Sequence, residues 1–396
     1  MYIHTVKSGE TLYGIARAYG TSAVKIAENN GLSDPDKIAV GQKLIILTPT
    51  RTYTVRGGDT LDSISRRFSV GKRTILQNNP YLYGRDKTYP EQVLALKYDL
   101  PSHGGAVVNG YAGRGVSEER LTAIMPYINY LTVAAYKAEN GRIIRFFDDT
   151  AAVKITKNSG RIPIMRVYDT RSLAEICEDE NYINNLVYTA IGRGYAGITL
   201  GAYRAQSEDG WCEFLFELKK RMIECGLFLY TEIDGNANEY FPDEVADAHV
   251  FCYEKCHLEN IPSFEDGEGR AYTEFAKKGD PTRAYMDFSP FAYADGEAMT
   301  EREAEAIAYR AGREIAYDSD KMICHFCYKK FSPQRTREVT VAFDSPENKK
   351  AKLDLAGELG YMGISFDVLR ASNQLIMMLA TSFSVGMDYL SSSAEM

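Results

Sequence analysis

Five carboxylates close, or sit within, short apolar runs and are the side chains best placed by type to do chemistry: Glu232, Asp234, Glu254, Asp287 and Asp367. Two such groups converging, one protonated and one ionised, would supply an acid and a base. The plainer expectation is that they are solvated or paired with Arg204, Lys255 or Arg283. Cys252, Cys256 and His257, with Cys324, His325 and Cys327, raise the question of zinc. Only the last group holds a clean Cys-x-x-Cys, and buried free cysteine is common. No metal and no cofactor is expected. Among 28 tyrosines, Tyr111, Tyr136 and Tyr168 fall at or just beyond the ends of apolar runs, where they would line a cleft or pack under loops. The single tryptophan, Trp211, reads as packing at a helix start.

These residues hang on a regular alternation. Val107–Tyr111, Tyr130–Tyr136, Ile162–Val167, Gly197–Ala202, Leu227–Ile233, His249–Tyr253, Arg283–Phe288 and Met362–Phe366 read as eight strands. Amphipathic helices lie between most of them, with Phe214, Leu215, Leu218, Met222 and Ile223 on one face of the clearest. Strand–helix units in this number suit an α/β fold, a (β/α)8 TIM barrel, with reactive groups at the C-terminal strand ends. The stretch 311–343 breaks the alternation and reads as a small α+β insertion.

A repeat precedes the barrel. Val6, Gly9, Thr11, Leu12, Ile15, Ile26, Asn29 and Asn30 recur, each 49 positions later, as Val55, Gly58, Thr60, Leu61, Ile64, Ile75, Asn78 and Asn79. Each copy reads strand, helix, helix, strand (βααβ), with Thr11 and Ser22 placed as helix caps and Gly31 as a stop. Boundaries at 1–48, 52–98 and 105–390 follow, because Leu100-Pro101-Ser102-His103-Gly104-Gly105 is rich in turn formers. Charge divides in the same way. The first 99 residues hold 14 Lys/Arg and 9 Asp/Glu, the remainder 32 and 45. Neither half suggests nucleic acid as a partner, and no apolar run is long enough to suggest a membrane span.

The repeats resemble LysM, a carbohydrate module that recognises N-acetylglucosamine in peptidoglycan and chitin. The likeness rests on Thr5-Val6-Lys7-Ser8-Gly9-Glu10-Thr11-Leu12, on Asn30-Gly31-Leu32-Ser33-Asp34-Pro35 and on Val40-Gly41-Gln42. The second copy departs at Tyr81-Leu82-Tyr83-Gly84-Arg85 and at Pro90-Glu91-Gln92. The resemblance implies sugar binding at Gly9, Glu10, Thr11, Leu32, Pro35 and Ile38. In the second copy the matching positions are Gly58, Asp59, Thr60, Pro80 and Leu82.

The run Tyr195-Ala196-Gly197-Ile198-Thr199-Leu200-Gly201-Ala202-Tyr203 resembles the fourth barrel strand of glycoside hydrolase family 18, Asp-Gly-x-(Asp/Asn)-x-Asp-x-Glu. Gly197 is kept, while Ala196, Thr199, Gly201 and Tyr203 stand where that family carries its polar and acidic residues. The resemblance looks closest to bacterial spore cortex-lytic N-acetylglucosaminidases, on Ile128-Asn129-Tyr130-Leu131-Thr132-Val133, on Val341-Ala342-Phe343-Asp344 and on Gly363-Ile364-Ser365-Phe366. In that family the Glu protonates the leaving oxygen and the Asp orients the substrate acetamide. A phenol with an ordinary pKa about 10 is a poor substitute for the first. On the sixth strand, Phe251-Cys252-Tyr253-Glu254 resembles Met-x-Tyr-Asp, which makes Tyr253 a sugar contact. Asp367 stands where the family's floor Trp is usual.

The expectation is a glycan-binding protein with no catalytic residues in the family positions. Its partners would be peptidoglycan or a chitooligosaccharide, and spore-coat or wall proteins. The alternative is an active glycosidase that uses relocated acids at Glu254, Asp367 or Glu232. The opening residues Met1 to Gly9 lack a signal-peptide pattern. That leaves delivery to spore coat, cortex or wall by another route, or a cytoplasmic protein.

Overall fold

The computed structural model describes residues 1–99, 104–139, 142–202, 205–235, 245–253, 261–288, 291–331 and 336–385. Eight parallel strands close on themselves: Gly105–Ala112, Tyr130–Glu139, Ile162–Tyr168, Gly197–Gly201, Phe228–Asp234, Ala248–Cys252, Ala284–Asp287 and Gly363–Asp367. The first strand pairs with both the second and the eighth, which completes the ring. All eight expected strands are present, and the fold is a (β/α)8 barrel with helices outside it.

The insertion is larger than the sequence indicates. A five-stranded antiparallel sheet spans Ala292–Ala294 to Thr336–Asp344 and takes in the helix Glu301–Ala311. Its first two strands have three and two residues, too short for a period-two pattern to register. It has a core of its own around Phe326, Val341 and Phe343.

The two N-terminal modules are built alike. Thr11 accepts from the Gly14 N–H ahead of helix Leu12–Ala18, and Ser22 accepts from the Lys25 N–H ahead of Ala23–Asn30. Thr60 and Ser63 form a reciprocal cap on Leu61–Phe68. In each module an asparagine ties the second helix to the closing strand. Asn30 donates to the Ile26 and Ile45 carbonyls and accepts from the Ile45 N–H; Asn79 does the same with Ile75 and Ala95. The recurrence of these asparagines is therefore architectural.

Both modules are fastened to the barrel. Ile45 and Leu47 belong to the same apolar core as the barrel strands. Gln374 donates to Asn30 and to the Lys43 carbonyl, and Lys43 pairs with Glu347 at 2.5 Å. In the second module Arg73 and Gln77 donate to the carbonyls of Pro126 and Ile128. The loop that departs from the repeat does so for the same reason: Gly84 abuts the Thr122 carbonyl and Arg85 pairs with Glu119 at 2.8 Å.

Gly41 and Glu91 show how docking decides a residue type. Both have positive φ, +80 and +69, and both N–H groups donate to the matching carbonyl, Val6 or Val55. Glu91 faces solvent and tolerates a side chain, whereas a Cβ on Gly41 would collide with the Ile315 carbonyl oxygen. Gly41→Ala is expected to cost about 2 kcal/mol, from overpacking and left-handed strain together. Limited proteolysis near residues 49–51 should then accelerate, while Glu91→Ala leaves it unchanged.

Candidate functional site

Strand alternation sends every second residue into the barrel. Strand registers Arg166↔Thr199, Thr199↔Tyr230 and Asp367↔Tyr111 identify the inward set near the C-terminal mouth. Thr199 is fully buried there, and its hydroxyl finds no partner among the described residues. Ala196 precedes the strand, donating to the Pro163 carbonyl and accepting from Phe228.

Gly201 faces inward at the end of the fourth strand, and its neighbours take up the space a side chain would need. A Cβ there would lie 2.7 Å from Glu232 Oε2 and 3.4 Å from Arg166 Nη2. Those two groups form a forked ion pair. Arg166 Nε donates to Oε1 at 2.5 Å and Nη2 to Oε2 at 2.7 Å. The Tyr111 hydroxyl also donates to Oε1, at 2.9 Å, and Gln206 donates to the Glu232 carbonyl. Glu232 is 1% exposed. The Arg166 guanidinium lies 5.9 Å from the Tyr111 ring and 5.7 Å from the Tyr168 ring.

This arrangement bears on acid–base chemistry. Both oxygens of Glu232 already accept from N–H donors, so a protonated Glu232 would turn one oxygen into a donor facing another donor. The arginine behind this pair was not among the sequence candidates. A signal for it exists: Arg166 follows Ile162 and Ile164 at period two, as Glu232 follows Phe228 and Tyr230. Among the other carboxylates, Asp367 accepts from the Leu369 N–H at 2.8 Å, and Asp287 is buried at the end of the seventh strand. Tyr203, Arg204, Glu254, Lys255, Cys256 and His257 lie outside the described residues.

Two expected sugar contacts are corrected. Tyr136 does not reach the mouth. The pairing of the second and third strands shifts register between Val133 and Tyr136, a bulge that reverses the alternation. Tyr136 therefore points outward, 2% exposed, and donates to Asp149 at 2.6 Å. Burial pushes the Asp149 carboxyl up, but hydrogen bonds from Tyr136, Tyr195 and Arg145 hold it below its ordinary value. On the sixth strand Cys252 sits with the inward cluster, while Tyr253 packs with the outer core and its hydroxyl lies beside Gly267. Trp211 opens helix Trp211–Glu224, buried and stacked on Phe214. Among the described residues no three His, Cys, Asp or Glu cluster in a way that would hold a metal.

In the first module, Gly9 has φ +80 with open space where a side chain would stand. Glu10 folds back under this loop and accepts from the Lys7 N–H and from His4, both at 2.8 Å. These bonds, the backbone one first, hold its carboxyl below the ordinary range. Asp59 repeats the brace 49 positions on, held low first by the Tyr53 hydroxyl at 2.6 Å and then by the Arg56 N–H. Gly58, φ +87, is as open as Gly9. Glu10 and Asp59 thus shape their loops with their side chains, and Thr11 and Thr60 cap helices. Leu32 and Ile38 are half-buried against the module core and Pro35 is exposed. In the second module Pro80 opens the short helix Pro80–Leu82, and Leu82 turns inward, 5% exposed in the module core. Leu82 is thereby removed from the groove.

The two modules match the LysM domain family over residues 4–47 and 53–97. They are LysM domains. The putative sporulation-specific glycosylase YdhD of Bacillus subtilis is 27% identical over 262 residues, 61% of this chain and 60% of that protein. The N-acetylmuramoyl-L-alanine amidase XlyA, also of Bacillus subtilis, is 34% identical over 110 residues. The chain spans 60% of the first relative and 33% of the second. In fold, the chain resembles the spore cortex-lytic enzyme SleL of Bacillus megaterium, with TM-score 0.74 and 19% identity over 97% of this chain and 99% of that one. A chitinase of Chromobacterium violaceum aligns with 70% of this chain and 98% of its own, with TM-score 0.59 and 16% identity. The chain thus carries two LysM domains on a (β/α)8 barrel whose fold is similar to that of these two solved structures.

Proposed function

We propose that this protein binds N-acetylglucosamine-containing glycan of peptidoglycan type through its LysM domains, and that its barrel does not hydrolyse it. The barrel then serves as a lectin-like or protein-docking scaffold at the spore cortex, coat or wall. The names of the relatives, a sporulation glycosylase, a cortex-lytic enzyme and a wall amidase, support the address. One observation carries the silent barrel: the place of the orienting acid is a glycine, and the Arg166–Glu232 fork fills the volume over it. The first LysM domain, with open space at Gly9 and with Leu32 and Ile38 only half-buried, carries more of the binding than the second, where Leu82 is turned into the core.

The test is turnover and binding by the purified protein. With chitooligosaccharides and cortex fragments as substrates, release of product is expected at the no-protein rate, while N-acetylglucosamine tetramer binds measurably in calorimetry. Turnover that disappears on replacing Glu232, Asp367 or Glu254 would establish the relocated-acid enzyme instead.

A further inference from the structure

The loop that follows the second helix of the first LysM domain does not end in open solvent. Facing it is the insertion helix Glu301–Ala311, and between the two lies a cleft of about 550 Å³, within the range of small-ligand sites. Leu32 on one wall and Tyr309, 40% exposed, on the other supply apolar surface. Three carboxylates and three cations line it, and they are not all paired with one another. Lys37 is already paired with Asp34 at 2.7 Å. Glu303 accepts from the Thr300 N–H and hydroxyl as a helix cap, and the backbone bond first holds its carboxyl below the usual range. Glu305, half-buried in the wall, has its carboxyl pushed up to about 8 by burial and then by Glu301. Arg302 and Arg310 remain: both are exposed and neither closes an ion pair among the described residues, Arg302 acting on Glu305 only through its field. Arg310 Nε reaches only the Ala306 carbonyl of its own helix.

We infer that this cleft extends the first LysM groove and takes a carboxylate-bearing residue of an N-acetylated amino-sugar chain, with Arg302 and Arg310 gripping the carboxylate and Tyr309 under the ring. The extension rests on the glycan-binding reading of that groove and adds to it a preference for an acidic chain. Guanidinium groups suit the role because they present paired N–H donors to the two carboxylate oxygens. They belong to the insertion, so the barrel domain contributes directly to recognition by its neighbour.

The experiment uses the full chain and two probes of equal length. One is the neutral N-acetylglucosamine tetramer; the other carries a 3-O-lactyl carboxylate on alternate sugars. The acidic probe is expected to bind about tenfold more tightly, the size of one or two charge-assisted bonds. Arg302→Gln with Arg310→Gln should erase that preference, leaving affinity for the neutral probe and the thermal melt unchanged. Equal binding of both probes, or a preference that survives the double substitution, would overturn the extension while leaving the groove intact. Binding of neither probe would overturn the groove and the extension with it.

Discussion

Glu232→Gln is expected to destabilise the protein by about 3 kcal/mol, read as a lower urea midpoint at unchanged slope. The substitution keeps the shape of the side chain and one acceptor. It removes the charge that Arg166 faces and turns an amide N–H₂ toward a guanidinium. Breaking a buried pair by neutralising one partner costs roughly 3–5 kcal/mol. Arg166 retains 23% side-chain exposure against 2% for Glu232, so the lower end applies. A carboxyl held for catalysis behaves in the opposite way: removing its charge abolishes turnover and commonly raises stability, because active-site strain is relieved. The sign of the stability change therefore separates a strut from an acid without a substrate. Replacing both partners, Glu232→Leu with Arg166→Met, should fall well above the single variant, since a lost pair leaves no orphan charge. A stable or stabilised Glu232→Gln protein would show that the fork is not what holds the mouth together.

The legible parts of this molecule are those where one local pattern repeats. Apolar runs separated by amphipathic helices marked all eight barrel strands within a few residues of their ends, and the 49-residue offset marked both LysM domains. The losses occur where geometry depends on two segments at once. Tyr136 was misplaced because a bulge against the third strand, invisible in either sequence alone, turns its side chain to the outer face. Tyr253 was misplaced by one step of the same alternation. For Glu232 the sequence offered Arg204, Lys255 or Arg283 as a partner but not Arg166, which lies two strands away around the ring. The second repeat departs from the first at Tyr81-Leu82-Tyr83-Gly84-Arg85, with no local pattern to say why. This loop is an interface: the residues that depart, Gly84 and Arg85, are the ones that meet Thr122 and Glu119.

Gly201→Asp, which would place an acid on the fourth strand, is expected to damage the protein more than Glu232→Gln does, by about 4 kcal/mol or more. The new Cβ would start 2.7 Å from Glu232 Oε2, inside contact distance. Its carboxylate would then share a nearly dry site with another carboxylate and only one arginine. Combining it with Glu232→Ala reverses the argument. The clash disappears, the deleted side chain leaves room, and Arg166 Nη2, 3.4 Å from the same Cβ position, becomes available to the incoming acid. The double variant is expected to be more stable than the sum of the two single changes by about 2 kcal/mol, a coupling of the size found between residues in one ion-pair network. Urea unfolding of the four proteins in the cycle measures it. Additive losses would mean that the fork and the glycine do not compete for one volume. A positive coupling would mean that the Arg166–Glu232 fork and an acid at position 201 compete for one volume and one arginine at the mouth of this barrel.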